Sequence, residues 1–90
     1  MSKFKIYTRN NPPCPYCEGA KLLFQTEGIT YDEIVIGRDI MREEFMELYP
    51  EQRTVPLVLI QEDGLFVKIG GYQELREYVK QQKLTEGLSL

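Results

Sequence analysis

Residues 12–17 read Pro-Pro-Cys-Pro-Tyr-Cys, and they hold both cysteines of the chain beside three of its five prolines. Upstream, apolar residues alternate with lysines, which predicts a short first strand that ends near Thr8. Downstream, apolar residues recur at helical spacing from Pro15 until Gly28, a residue typical of a helix end. The chain therefore places its only two thiols where a predicted strand passes into a predicted helix.

The rest of the chain continues this alternation of strands and helices. Asp39 is placed to cap a second helix that Pro50 ends, Asp63-Gly64 signals a hairpin, and Gly70-Gly71 precedes a last helix. Three further segments have the composition of strands: Thr30–Ile36, Pro56–Ile60 and Leu65–Ile69. The predicted order is β-α-β-α-β-β-α. This is an α/β thioredoxin-type fold, a four-stranded mixed sheet with helices on both faces.

The composition is that of one small globular domain. The chain has 90 residues, 42% hydrophobic and 28% charged, and we expect a single domain over 1–84 followed by a C-terminal tail over 85–90. A formal net charge of -3 argues against the broad basic face that nucleic-acid binding requires. The sequence shows neither a secretory signal nor an apolar run of membrane-spanning length, so we expect a cytoplasmic protein that does not bind membranes.

The cysteine pair suits thiol–disulfide exchange. Pro15 fits the first position of a helix, which places Cys14 at the N-cap, beside free backbone N–H groups and the positive end of the helix dipole. This environment favours the thiolate, so the pKa of Cys14 is expected to be lower than that of a free cysteine. Cys17 follows one turn later on the same side of the helix, at a spacing that lets a disulfide close. Cys14 is therefore the candidate nucleophile and Cys17 the candidate resolving thiol.

Other uses of two cysteines remain open at this point. The chain has no histidine, so cysteine–histidine catalysis and zinc sites completed by imidazole are excluded. No metal is expected within one chain, although two chains together would supply four thiolates to a shared iron–sulfur cluster. A chance Cys-x-x-Cys spacing is the remaining alternative, and its position at a strand-to-helix junction favours redox chemistry instead.

Two other stretches are expected to converge on the cysteines. Pro56 stands at the start of the buried third strand. If the Val55–Pro56 bond is cis, Val55 presents its backbone N–H and C=O groups to an extended partner. The alternative is an ordinary proline at the start of a strand. Gly70-Gly71 either lets a ligand approach the backbone at the start of the last helix or forms a plain turn.

Together these residues resemble the glutaredoxin family. The matching segments are spread over nearly the whole chain: Tyr7-Thr8, Cys14-Pro15-Tyr16-Cys17, Thr54-Val55-Pro56 and Gly70-Gly71. Cys-Pro-Tyr-Cys is the signature of the dithiol branch of that family, and the sequence from Gly70 to Tyr78 is similar to small phage-encoded members. Two features depart from the common pattern, a longer loop between Arg9 and Cys14 and Tyr72-Gln73 in place of small or acidic residues.

The resemblance implies roles for individual residues. Cys14 would be the nucleophile and Cys17 the resolver, and Val55 would pair its backbone with the cysteinyl part of glutathione. Arg9 and Arg42 would face the glycine carboxylate of the tripeptide. The N–H groups after Gly71 would hold the γ-glutamyl carboxylate, with Glu74 where the family usually has Asp. Both arginines could instead be solvated surface residues. The implied glutathione site comprises Arg9, Tyr16, Arg42, Thr54, Val55, Pro56, Gly71, Tyr72, Gln73 and Glu74.

The function implied by the resemblance is a glutathione-dependent thiol–disulfide oxidoreductase. Such a protein reduces protein disulfides and glutathione mixed disulfides, uses glutathione as co-substrate and needs no tightly bound cofactor. A monomer is expected, with disulfide-containing proteins as partners and a ribonucleotide reductase as the downstream partner that the family suggests. The alternatives are a thioredoxin-like reductant recharged by a flavoprotein reductase and a dimeric [2Fe-2S] cluster-binding protein.

Overall fold

The computed structural model describes the backbone of residues 3–88 and the side chains of residues 3–82. The elements follow the predicted order β-α-β-α-β-β-α. They are β1 (Phe4–Arg9), α1 (Pro15–Thr26), β2 (Tyr31–Ile36), α2 (Arg42–Leu48), β3 (Leu57–Glu62), β4 (Leu65–Gly70) and α3 (Tyr72–Leu88). The strand order in the sheet is β2-β1-β3-β4, with β1 and β2 parallel and the other two pairs antiparallel. The predicted thioredoxin-type fold is therefore confirmed.

Two apolar clusters cover the two faces of the sheet. Because side chains alternate along a strand, Phe4 and Ile6 of β1 lie on one face and Tyr7 lies on the other. The first cluster packs the sheet against α1 and α3 and contains Phe4, Ile6, Ala20, Phe24, Val58, Ile60, Leu75 and Val79. The second packs the sheet against α2 and contains Tyr7, Phe45, Leu57 and Leu59. β3 contributes to both clusters, which explains its uninterrupted apolar sequence.

The prediction that Asp39 caps the second helix is wrong. α2 begins at Arg42, its N-cap is Met41, and no side chain bonds to that cap. Asp39 instead accepts a hydrogen bond from the backbone N–H of Val35 at 2.8 Å and pairs with the neighbouring Arg38 at 3.0 Å. The carboxylate thus closes the turn after β2, because a short acidic side chain bonds readily to nearby backbone N–H groups.

The last helix extends beyond the domain end expected at residue 84. α3 runs as far as Leu88, and the last two residues of the expected tail lie outside the described part of the chain. Among residues 3–88, no helix combines the length and the apolar character that crossing a bilayer requires.

Candidate active site

The loop between β1 and α1 positions the two cysteines. Cys14 is the N-cap of α1 with extended backbone (φ -125°), Pro15 follows at the start of the helix, and Cys14 Sγ accepts a hydrogen bond from the backbone N–H of Cys17 at 3.2 Å. The two residues form a disulfide with their Cα atoms 5.2 Å apart. Cys14 is 5% exposed and Cys17 only 1%. The arrangement therefore has an outer sulfur at the helix N-terminus and an inner one behind it.

The loop before β3 lies directly beside the outer sulfur. Cys14 Sγ is 3.7 Å from the backbone carbonyl oxygen of Val55, and the Val55–Pro56 peptide bond is cis. A second cis bond, which was not predicted from the sequence, joins Asn11 to Pro12 in the loop after β1. The structure thus brings Cys14 and Val55 together, although they are 41 residues apart in the chain.

An arginine-lined groove opens on one side of this pair. It has a volume of about 380 Å³, and the predicted residues Arg9, Arg42, Thr54 and Val55 all line it. Arg9 Nε donates a hydrogen bond to the Pro12 carbonyl oxygen at 3.1 Å, so the longer loop after β1 folds back onto this arginine. We call this group, together with Arg53, the arginine groove.

Arg53 is a residue of this groove that the predicted site lacked. Its position next to Thr54-Val55-Pro56 in the sequence was the available signal. That signal could not be used without the sheet order, because only the pairing of β1 with β3 brings the loop before β3 next to Arg9. Three arginines therefore line one groove in a chain whose net charge is -3.

The turn between β4 and α3 occupies the other side, and we call residues 70–74 the Gly71 turn. The Gly71 N–H donates to Glu74 Oε1 at 2.7 Å. This is one of the two reciprocal hydrogen bonds of a capping box, the bond from the N-cap N–H to the acidic side chain three residues later. A Cβ built on Gly71 would lie 3.6 Å from the Pro56 carbonyl oxygen, so this turn adjoins the loop before β3. Gly70 has φ +129°, a conformation that glycine adopts without steric cost.

Two aromatic rings connect this turn to α1. Tyr16 is 62% exposed, and its ring centroid is 6.0 Å from that of Tyr72. Tyr72 also packs over Gly19, where an added Cβ would meet its ring at 3.2 Å. Gln73 lies apart from this contact, in a separate groove with Leu23 and Arg76. The predicted site residues therefore divide between the two sides of the disulfide, and Gln73 faces away from both.

Within the part of the chain that the structure describes, no three His, Cys, Asp or Glu residues are grouped closely enough to hold a metal ion. The two thiolates of one reduced chain are also fewer than the four protein ligands typical of structural zinc.

The family model, the curated relatives and the solved structures of 30% identity or more that are described below are all glutaredoxins. The glutaredoxin family model matches residues 4–67. Glutaredoxin 3 of Escherichia coli K12 is 32% identical over 75 residues, which are 83% of either chain. Glutaredoxin 1 from Francisella tularensis, crystallised with cacodylate, has 33% identity and a TM-score of 0.67, over 90% of this chain and 95% of that one. The solution structure of a Brucella melitensis glutaredoxin has 31% identity and a TM-score of 0.68, over 96% of this chain and 87% of that one. The chain belongs to the glutaredoxin family, whose members are thiol–disulfide oxidoreductases.

Proposed function

We propose that this protein is a dithiol glutaredoxin that reduces protein disulfides and glutathione mixed disulfides with glutathione as co-substrate. The observation that carries the proposal is the position of Cys14 Sγ. It lies at the N-terminus of α1 and 3.7 Å from the Val55 carbonyl oxygen, between the arginine groove and the Gly71 turn. An extended thiol peptide with a carboxylate at each end fits this arrangement.

The reaction begins at Cys14 once the disulfide is reduced. The thiolate is favoured there because the N–H of Cys17 and the helix dipole both point at the sulfur. It attacks one sulfur of a substrate disulfide, the substrate S–S bond breaks, and the other sulfur leaves as a thiolate. Cys14 rather than Cys17 is assigned this first step, because its sulfur lies at the helix N-cap and Cys17 is the more buried of the two.

Two routes complete the cycle. When Cys14 carries a protein, the Cys17 thiolate attacks Cys14 Sγ, expels the reduced protein thiolate and leaves the pair as a disulfide. When Cys14 carries glutathione, a second glutathione thiolate attacks the glutathione sulfur, releases oxidised glutathione and regenerates the Cys14 thiolate. Reduction of the Cys14–Cys17 disulfide consumes two glutathione molecules by the same exchange chemistry.

Glutathione is proposed to lie across the dithiol in an extended conformation. Its cysteinyl backbone pairs with the polar backbone groups of Val55, as an added strand would. Its glycine carboxylate faces Arg9, Arg42 and Arg53, since guanidinium groups bind carboxylates through charge-assisted hydrogen bonds. Its γ-glutamyl carboxylate approaches the first N–H groups of α3, and its ammonium group approaches Glu74.

The test is glutathione-dependent turnover of a small mixed disulfide, coupled to glutathione reductase and NADPH. We expect Cys14→Ser to abolish turnover and Cys17→Ser to retain part of it, because only the second route operates without Cys17. Reduction of a protein disulfide should require both cysteines. A wild-type protein that fails to turn over while its disulfide remains reducible by thioredoxin reductase would contradict the glutathione dependence and favour a thioredoxin-like reductant.

A further inference from the structure

A network of charged and polar side chains lies between α1 and the first two strands. Lys21 Nζ is 3.1 Å from Glu33 Oε2 and 3.0 Å from Glu18 Oε1. The hydroxyl of Thr8 donates to the same Glu33 Oε2 at 2.7 Å. We call these four residues the Lys21 network. None of them belongs to the glutathione site proposed above.

The lysine of the network lies one helical turn after Cys17 on α1. Lys21 follows Cys17 by four residues on α1, so the two side chains are neighbours on one face of the helix. Thr8 is only 1% exposed and lies near the end of β1, on the sheet face that α1 covers. Glu33 pairs with Ile6 across the parallel strands β1 and β2, which places it on that same face.

Lys21 is held as a cation in this position. Its side chain is 17% exposed, and burial alone would lower the pKa of its ammonium group. The hydrogen bonds to Glu18 and Glu33 outweigh that effect, so the pKa of Lys21 is raised above 10.5. The Glu33 side chain is 25% exposed, whereas that of Glu18 is 68% exposed. Since screening by water is weaker for the more buried pair, the attraction between Lys21 and Glu33 is screened less than that between Lys21 and Glu18.

We propose that Lys21, held in place by Glu33 and Thr8, is a positioning residue for the redox pair whose charge favours the reduced form of Cys14 and Cys17. This inference rests on the dithiol chemistry of the proposed function, but not on glutathione as the reductant. On reduction, two electrons enter the Cys14–Cys17 bond and break it, while the two thiols of the reductant become a disulfide. Of their two protons, one binds Cys17 and the other enters solvent when Cys14 remains a thiolate. A nearby cation stabilises the negative charge that this step creates.

Because Lys21 and Glu33 carry opposite charges, their neutral variants should shift the dithiol–disulfide equilibrium in opposite directions. In an equilibrium of the intact protein with reduced and oxidised dithiothreitol at fixed pH, Lys21→Met should shift the Cys14–Cys17 pair toward the disulfide by about threefold. Glu33→Gln should shift it toward the dithiol. Lys21→Arg keeps the charge and should stay near wild type. Lys80→Met, which removes an exposed lysine on α3, serves as the control and should not change the equilibrium.

A purely structural role for the network predicts a different result. If the network only supports packing, Lys21→Met and Glu33→Gln should shift the dithiol–disulfide equilibrium in the same direction or leave it unchanged. Either outcome overturns the inference. Glu33→Gln keeps the shape of the carboxylate, so its direction decides the question even if Lys21→Met does not fold. Because the assay contains no glutathione, its result is independent of whether the proposed glutathione site is correct.

Discussion

The two flanks of the Cys14–Cys17 pair differ in charge and in how their polar groups are satisfied. The arginine groove is an open concavity of about 380 Å³ lined by Arg9, Arg42 and Arg53. In the Gly71 turn, the chain's own Glu74 already accepts the Gly71 N–H at 2.7 Å. One flank therefore presents positive charge to a ligand, whereas the other has placed an internal carboxylate where an anion would bind.

This difference indicates an unequal division of binding energy. The arginines of the groove can form charge-assisted hydrogen bonds with a ligand carboxylate, although Arg9 already donates one N–H to the Pro12 carbonyl oxygen. A ligand carboxylate at the start of α3 shares that helix terminus with Glu74, so repulsion between the two carboxylates offsets part of its gain. We therefore expect the arginine groove to dominate the affinity for glutathione and the Gly71 turn to contribute more to stability and orientation.

The largest effect on the Gly71 turn is expected from Gly70→Ala. Gly70 has φ +129°, and an added Cβ would lie 2.7 Å from Glu74 Cγ. We expect the free energy of unfolding to fall by about 1–3 kcal/mol, measured by urea denaturation, because the backbone conformation is strained for alanine. Gly28→Ala is the matched control, since Gly28 has φ +68° in open space. Equal losses in both variants would show that the contact with Glu74 adds nothing.

The arginine groove is tested by replacing two of its guanidinium groups together. We expect Arg42→Gln with Arg53→Gln to raise the KM for glutathione about tenfold, since two charge-assisted hydrogen bonds weaken, while kcat changes little. Steady-state kinetics with varied glutathione measures this split. Lys68→Gln with Lys80→Gln removes the same charge from exposed positions outside the groove and should leave KM near wild type. If both double variants behave alike, net charge rather than the groove controls binding.

A smaller effect is expected from Glu74→Gln. The variant loses the charged acceptor of the Gly71 N–H, and we expect the free energy of unfolding to fall by about 0.5–1 kcal/mol. The KM for glutathione should change less than in the arginine double variant, because the lost pairing with the ammonium group is offset by relief of repulsion with the γ-glutamyl carboxylate. A KM increase larger than that of the arginine variant would reverse the proposed ranking of the two flanks.

The smallest effect concerns the support of α2, the helix that carries Arg42. Tyr7 packs against Phe45 of α2 with ring centroids 5.1 Å apart, and burial, with a further contribution from Tyr49, raises the pKa of Tyr7 from 10.0 to about 12. The neutral phenol is therefore favoured in the folded state. Its contribution to stability is complete below pH 10 and is lost as the pH rises through about 12. Tyr7→Phe cannot ionise at this position, so its free energy of unfolding should fall less than that of the wild type between pH 10 and about 12. Urea denaturation at several pH values measures this difference, and parallel pH dependences of the two proteins would contradict the assignment.

Local features of the sequence were sufficient to predict the dithiol. Pro15 at the start of a helix and the three-residue spacing of Cys14 and Cys17 act within one turn, so their geometry follows without knowledge of the tertiary structure. The element order followed in the same way from the periodicity of apolar residues and from the glycines and prolines between them. These are the parts of the fold that adjacent residues determine.

Features that depend on the packing of distant segments were not predictable in this way. Asp39 is of a residue type that often caps helices, but its carboxylate bonds to the Val35 N–H and to Arg38 instead. Arg53 enters the groove only because β3 pairs with β1. Lys21 and Glu33 meet only because the parallel register places Glu33 opposite Ile6. Each of these depends on strand order or register, which single-sequence patterns do not specify.

The most direct test of the account is a crystal structure of the Cys17→Ser protein with glutathione disulfide-bonded to Cys14. Without Cys17 the mixed disulfide cannot be resolved internally, so the adduct is stable enough to crystallise. The proposed binding mode places the glycine carboxylate within hydrogen-bond distance of the arginine groove, the cysteinyl backbone beside Val55, and the γ-glutamyl group at the Gly71 turn. A tripeptide bound in the reverse direction, or one that leaves Arg42 and Arg53 unpaired, would contradict it.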